Sequence, residues 1–265
     1  MANLNPFAAW RRLLALPNES RTKTVAIAFL VSAICALFVS GATVVLRPIQ
    51  TANRAAEQQA RLETLIAGIP GMSDLLAQSG GTLSTVVIDL TKGAVAEIAP
   101  ADLTTALQDS SNWTGLTAAQ DTAGLGQRPN FAQVYFLRGP DGNLSLALLP
   151  ITGDGYNGPI DAILALRADT QTIAGLAITN QSETPGLGAR IEEPAWLSQF
   201  GGKTALDASG APRFAVAKGT AGSEYEVDGI TGATRTSNAI TRIMRFWLGD
   251  DGYGPLLAAI RRGAF

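Results

Sequence analysis

The chain has 265 residues, 46% hydrophobic and 16% charged, with a formal net charge of −2 and a pI near 5.3. That length holds one sizeable globular domain plus an anchor, the composition argues against extended disorder, and without a basic stretch to track a phosphate backbone nucleic acid is not an expected partner. No histidine is present and Cys35 is the only cysteine; this excludes His-ligated metals, Ser-His-Asp triads, intrachain disulfides and a self-held iron–sulfur cluster, so redox chemistry here needs an organic cofactor.

Residues 24–46 read TVAIAFLVSAICALFVSGATVVL and carry no charge. At about 1.5 Å per residue such a helix crosses a hydrocarbon core of about 30 Å. Arg11, Arg12, Arg21 and Lys23 precede the segment, while Arg47, Arg54 and Arg61 follow it. The bias is modest, but by the positive-inside rule it places residues 1–23 in the cytoplasm and residues 47–265 in the periplasm of a cell with an inner membrane. Cys35 falls in the middle of the apolar run and reads as a small packing residue.

From Arg47 to Leu76 apolar residues recur at helical spacing, which predicts a stalk continuing from the span and ending near Gly68 to Gly71. Leu83 to Leu90 reads as a strand, and the polar stretch Pro100 to Asn130 as a loop with short helices. Strands are then predicted at Gln133 to Arg138 and Leu144 to Pro150, joined by the turn residues GPDGN. A second pair, Ile160 to Arg167 and Ile173 to Thr179, is joined by a turn over residues 168–172. Ser237 to Leu248 is an amphipathic helix. The fold class is therefore α+β: one N-terminal transmembrane helix, then a domain with an antiparallel sheet flanked by helices rather than βαβ repeats.

Two glycine-containing stretches invite functional readings. Gly153 to Gly158 fits GxGxxG, but Pro159 and a strand follow where a dinucleotide fingerprint requires a helix, so a turn between strands is the better reading. GITGATRTS, from Gly229 to Ser237, lacks the lysine of a phosphate-binding loop of the Walker type. The same stretch, with Asp228 before it, packs small residues around hydroxyls and an acid just ahead of a helix. It is either a helix cap built on Thr236 or Ser237, or a place where free N–H groups and a partial positive charge stabilise a phosphate.

Asp228-Gly229-Ile230-Thr231-Gly232-Ala233-Thr234 resembles the flavinylation motif D-x-x-(S/T)-G-A-(T/S) of proteins that receive FMN from a magnesium-dependent flavin transferase. Upstream, Glu183-Thr184-Pro185-Gly186-Leu187-Gly188 resembles the other signature of such FMN-binding domains, and Gly155-Tyr156-Asn157-Gly158 their glycine-rich turn. With Leu46-Arg47-Pro48-Ile49-Gln50, Glu193-Pro194-Ala195-Trp196 and Gly202-Lys203, the whole chain resembles the C subunit of the sodium-translocating NADH:quinone reductases. One departure is Asn180-Gln181-Ser182, where such domains often carry a histidine.

The resemblance implies FMN bonded covalently to Thr234 through a phosphoester, with Asp228 recognised by the transferase and Thr231, Gly232 and Ala233 shaping the turn. Glu183, Thr184, Leu187 and Gly188 are the candidates for lining the isoalloxazine ring, with Lys203 near it. Thr236 and Ser237 are expected to cap the helix, with Thr234 ahead of it. No residue is assigned as catalytic or metal-binding. The implied partners are the rest of the reductase complex, its B, D and E subunits above all, the membrane, and the flavin transferase during maturation. Electrons would pass from an iron–sulfur centre elsewhere to a second covalent FMN on the B subunit, with no NADH site and no sodium path in this chain. The alternatives are the G subunit of the Rnf ferredoxin:NAD complex, which shares anchor and motif, and an anchored periplasmic binding protein without flavin.

Overall fold

The computed structural model describes residues 20–67 and 82–265, with Arg11, Ala15 and Pro17 ahead of them. The chain divides into two units, 1–62 and 63–265. The first is dominated by helix α1 (Arg21–Ala67), 47 residues long. Its Arg21–Val44 portion has a mean hydropathy of 2.5, and none of that window is buried. Val25, Phe29, Leu37, Phe38 and Val44 all stand exposed, an arrangement that water penalises and hydrocarbon does not. Inside the window Thr43 donates its hydroxyl to the Val39 carbonyl at 2.7 Å, which hides a polar group within the helix. The stalk expected after the span is the unbroken continuation of α1 to Ala67; its expected stop at Gly68 to Gly71 lies outside the described residues.

The second unit is built on a six-stranded sheet. Its strands are β1 (Thr82–Asp89), β2 (Ala94–Val95), β5 (Phe131–Arg138), β6 (Leu144–Asp154), β7 (Pro159–Arg167) and β8 (Ile173–Asn180). They lie in the order β2-β1-β5-β6-β7-β8, and every neighbouring pair is antiparallel. In β6 and β7 the runs Leu146–Leu149 and Ile163–Leu166 are buried at every position. Successive side chains point to opposite faces, so this part of the sheet is covered on both sides. That is why these strands read as continuous apolar runs rather than as alternation.

Pro100 to Asn130 departs from the expected loop with short helices. Besides 3-10 turns and a single helical turn α2 (Leu103–Ala106), it contains a hairpin-like pair, β3 (Trp113–Gly115) against β4 (Gln127–Pro129). Three-residue strands in a polar stretch are too short to show a period of two. They are held by local bonds, the Asp121 carboxylate accepting from the amides of Leu125 and Gly126, each at 2.7 Å. Two further short strands, β9 (Ala215–Val216) and β10 (Glu226–Val227), pair in parallel.

A short helix α3 (Pro194–Leu197) precedes β9, and helices α4 (Thr234–Leu248) and α5 (Gly254–Arg261) close the chain. Ala239, Ile240, Ile243, Met244 and Trp247 form the apolar stripe of α4 and belong to the same core as Leu149, Ile151, Leu164 and Leu176 of the sheet. Two polar aromatic tips fasten this segment to β6: Trp247 Nε1 donates to the Thr152 carbonyl and Tyr253 Oη to the Pro150 carbonyl, both at 2.7 Å. Tyr253 is wholly buried, and burial pushes its phenol far above the ordinary value, because the charged form has no water to solvate it. A raised folded-state pKa means that this contribution to stability is complete below about pH 10, the unfolded value, and is lost as pH rises beyond it. Tyr253→Phe should lower unfolding stability at pH 7 by about 1–2 kcal/mol, since the Pro150 carbonyl loses its donor. Denaturant titrations repeated between pH 8 and 11 should also show a shallower alkaline loss in the variant than in the wild type.

Candidate functional site

Antiparallel pairing brings the end of β6, the start of β7 and the end of β8 to the same edge of the sheet, with Asp154 opposite Pro159 and Asp161 opposite Asn180. The Gly155-Tyr156-Asn157-Gly158 segment is the turn between β6 and β7, closed by Gly155 N–H to the Gly158 carbonyl at 2.9 Å. The rejected dinucleotide fingerprint is thus a hairpin turn. The ETPGLG segment leaves β8 at this same edge.

Both sequence signatures fold into tight turns of one kind. In Thr184–Leu187 the Leu187 amide donates to the Thr184 carbonyl at 3.1 Å, and in Ile230–Ala233 the Ala233 amide donates to the Ile230 carbonyl at 3.0 Å. Gly186 (φ +74°) and Gly232 (φ +82°) occupy the third positions, where a type II turn needs the positive φ that glycine tolerates. The two turns meet: a Cβ added at Gly232 would lie 3.1 Å from Leu187 Cδ2.

Glu183 ties the segments together. It is 4% exposed. Its Oε1 accepts from the amides of Tyr156 (2.6 Å) and Asn157 (3.1 Å), and its Oε2 accepts the Thr236 hydroxyl at 2.6 Å. A buried carboxylate is tolerable only when hydrogen-bonded in this way. The neighbours leave it no room to spare. A Cβ at Gly188 would meet Glu183 Oε2 at 2.5 Å and Thr236 Oγ1 at 2.6 Å, and one at Gly155 would collide with Glu183 Oε1.

Helix α4 starts at Thr234, three residues earlier than the sequence pattern suggests, and its N-cap Ala233 offers no side-chain cap. Thr236 and Ser237 are therefore not caps. They lie inside the first turn and are buried, Thr236 bonded to Glu183 and Ser237 Oγ accepting from Ile230 N–H at 3.3 Å. The turn at Gly232 delivers the chain directly into helical geometry, so that Ser237 N–H already bonds the Ala233 carbonyl at 3.0 Å. The amides of Thr234, Arg235 and Thr236 precede that first intrahelical bond and have no acceptor within the helix.

A cavity of about 410 Å³ lies among these pieces, lined by Tyr156, Glu183, Thr184, Leu187, Gly188 and the run Gly232–Thr236. That volume is within the range of about 300–1,000 Å³ common to small-molecule sites. The cavity opens to solvent beside Tyr156 (54% exposed) and Leu187 (45%), and Thr234 is exposed within it. Arg235 lies over the Tyr156 ring, its Cζ 4.9 Å from the centroid. No cluster able to hold a metal ion occurs among the described residues.

Seven of the expected site residues, Glu183, Thr184, Leu187, Gly188, Gly232, Ala233 and Thr234, meet in this one cavity. Thr231 is exposed at the second position of the turn. Asp228 stands behind it as a clip: Oδ1 accepts from Ala221 N–H (2.7 Å), the carbonyl accepts from Trp196 Nε1 (2.8 Å), and the amide donates to Gln199 Oε1 (2.9 Å). Lys203 is not brought to the cavity. Its carbonyl accepts from Ile173 N–H at 2.8 Å, at the first residue of β8, seven residues or about 24 Å along the strand from the Asn180 end. Tyr156, Arg235 and Thr236 were not expected as lining residues. Arg235 had one signal, a cation in the first turn of a helix, where anions are favoured.

Residues 155–249, which take in the hairpin turn, both signatures and α4, match the FMN-binding domain family. The chain is 35% identical over 255 residues to the C subunit of the Na(+)-translocating NADH-quinone reductase of Yersinia pestis, spanning 93% of this chain and 96% of that protein. It is 37% identical over 254 residues to the corresponding C subunit of Vibrio vulnificus, spanning 93% and 98%. The chain belongs to this C-subunit family. Membership decides between the two complexes that share anchor and motif in favour of the quinone reductase. The crystal structure of Shewanella oneidensis NqrC superposes with a TM-score of 0.66 at 25% identity, covering 78% of this chain and 99% of that one.

Because Glu183 joins the β6–β7 turn to α4, the pair Glu183 and Thr236 should behave as one unit. Thr236→Val is expected to cost about 1–2 kcal/mol and Glu183→Ala about 2–4 kcal/mol, the larger loss reflecting three stranded donors. The double variant should fall short of the sum by at least about 0.5 kcal/mol, the order of coupling seen for groups in contact. Denaturant unfolding followed by tryptophan fluorescence provides the cycle, and strict additivity would show that the bond is not formed.

Proposed function

We propose that the chain is the electron-transferring C subunit of a sodium-translocating NADH-quinone reductase and that it carries FMN bonded covalently through a phosphoester to Thr234. The observation that carries this reading is the convergence of both FMN-domain signatures on one cavity in which Thr234 is the exposed first residue of a helix. The residues fit the group. Three amides without helical acceptors and the positive end of the α4 dipole stand beside the Thr234 hydroxyl, a suitable setting for a phosphate. Gly232, having no Cβ, keeps the turn clear where a side chain would press on Leu187, and Leu187 and Tyr156 offer apolar surface for a ring system.

When bound, FMN supplies the electron chemistry that no side chain here can supply. The protein's part is to hold and orient. Thr234 tethers the phosphate end, and Thr184, Leu187 and Gly188 line the ring. Glu183 lines it as well and fixes the wall, through Tyr156 and Asn157 on one side and Thr236 on the other. Thr231, Gly232 and Ala233 present Thr234 at the tip of the turn. Asp228 braces that turn from behind and, on the resemblance, is read by the flavin transferase. Lys203, at the far end of β8, is not part of this cavity. A tether suits a site open on one side: it supplies retention that enclosure does not, and it leaves a flavin edge accessible to redox partners.

The chain is membrane-anchored through α1. In the full reading residues 1–23 are cytoplasmic, 24–46 span the inner membrane once, and 47–265 form the periplasmic FMN-binding domain. Electrons arrive from an iron–sulfur centre elsewhere in the complex and leave to a second covalent FMN on the B subunit, with the B, D and E subunits as neighbours. An uncharged single helix offers no ion path, so sodium crosses through other parts of the complex.

Covalent attachment separates this reading from an anchored binding protein. Co-expressed with the transferase, the wild-type chain should give a fluorescent band that survives a denaturing gel. Thr234→Ala should lose all of it while still reaching the membrane, and Thr234→Ser should keep part. Thr236→Ala should keep the label, because its hydroxyl is committed to Glu183. A band that persists in Thr234→Ala would place the flavin on another hydroxyl.

A further inference from the structure

α4 opens on Thr234-Arg235-Thr236-Ser237, with no acidic residue in its first turn. A helix N-terminus already carries about half a positive charge, so anions are favoured there and a cation is not. Arg235 breaks that rule, and its charge is not spent on a carboxylate. The ion pairs among the described residues are Lys92–Asp89 and Arg190–Glu193. Arg235 lies instead on the Tyr156 face, and both residues line the cavity. The acid that lines the cavity, Glu183, bonds Tyr156 N–H, Asn157 N–H and the Thr236 hydroxyl. The cavity thus presents an unspent cation beside a helix N-terminus.

A break in local electrostatics without a compensating partner in the protein marks a functional position. This inference rests on the FMN reading above. We propose that Arg235, steadied on Tyr156, tunes the reduction potential of the flavin in this cavity by favouring the negative charge that the ring gains on reduction. The ring takes up two electrons from its reductant and one proton from solvent, so its charge falls by one. The phosphoester on Thr234 has the same charge in both oxidation states and is answered by the helix amides. Only a charge that acts differently on the two states moves the equilibrium between them. Tyr156 is the positioning residue: a guanidinium on an aromatic face keeps its place without burial, and a lysine would keep the charge but lose the flat stacking.

The test is a potentiometric titration with dithionite of the full-length, flavin-loaded chain in detergent. Arg235→Gln is expected to weaken the preference for reduced over oxidised flavin about three- to tenfold, or ~15–30 mV more negative for a two-electron couple. In the plot of potential against pH, the bend that marks the ring proton should move to higher pH, because the reduced anion has lost its cation. Arg235→Lys should keep most of the wild-type value. Raising salt to about 1 M should bring the wild type toward Arg235→Gln, since charges at an open rim are screened. Tyr156→Leu keeps the cation and removes its platform; it should shift the potential the same way by less, and it decides the matter if Arg235→Gln loads no flavin. A loaded Arg235→Gln with the wild-type potential and pH bend overturns this inference and leaves the FMN reading standing. A wild-type chain without flavin overturns both.

Discussion

Glu183 is a carboxylate taken almost wholly out of water, and the bonds that make this tolerable come from two other segments of the chain: the amides of Tyr156 and Asn157, and the hydroxyl of Thr236. Removing a charge from water costs several kcal/mol unless such donors replace the solvent. The carboxylate therefore dictates where the β6–β7 turn and the first turn of α4 must sit. It also dictates the glycines at 155 and 188, since a Cβ at either would press on a carboxylate oxygen. The two type II-like turns come together over this point. The cavity is the space left between them.

The division of labour in the molecule follows from that arrangement. The sheet and the apolar stripe of α4 supply a stiff frame, and Trp247 and Tyr253 bolt the C-terminal segment to β6. The frame ends in the loops and the first turn of α4 that line the cavity. An open cavity would be a poor trap for a freely dissociating ligand. On the proposed reading, a covalent tether on the exposed Thr234 would turn the same openness into access for redox partners. α1, whose Arg21–Val44 window has a mean hydropathy of 2.5 and is not buried, is the membrane anchor, and on the proposed reading it holds the domain near those partners.

Much of this was legible in the residues. The uncharged run at 24–46 and the apolar runs of β6 and β7 are long enough for their period or its absence to be decisive, and the two signatures named seven of the ten lining residues. What was hidden has physical reasons. β3 and β4 are too short for alternation to register. The start of α4 was misplaced because Thr236 and Ser237 look like caps, while their hydroxyls are in fact used across space by Glu183 and Ile230, pairings that sequence separation conceals. Lys203 follows ETPGLG in the chain, but β8 carries its neighbourhood to the other end of the sheet. Arg235 could have been noticed as a cation at the wrong end of a helix; its stacking on Tyr156, far away in the chain, could not.

The site of attachment is the point on which the functional reading turns, and it can be read directly from the wild-type protein. The chain, co-expressed with the transferase, is digested with trypsin, and the peptide that begins at Gly219 is fragmented in a tandem mass spectrometer. The expected result is an adduct of FMN less one water, with fragment ions placing it on Thr234. An adduct on Thr231, on a peptide elsewhere in the chain, or no adduct at all would contradict the assignment.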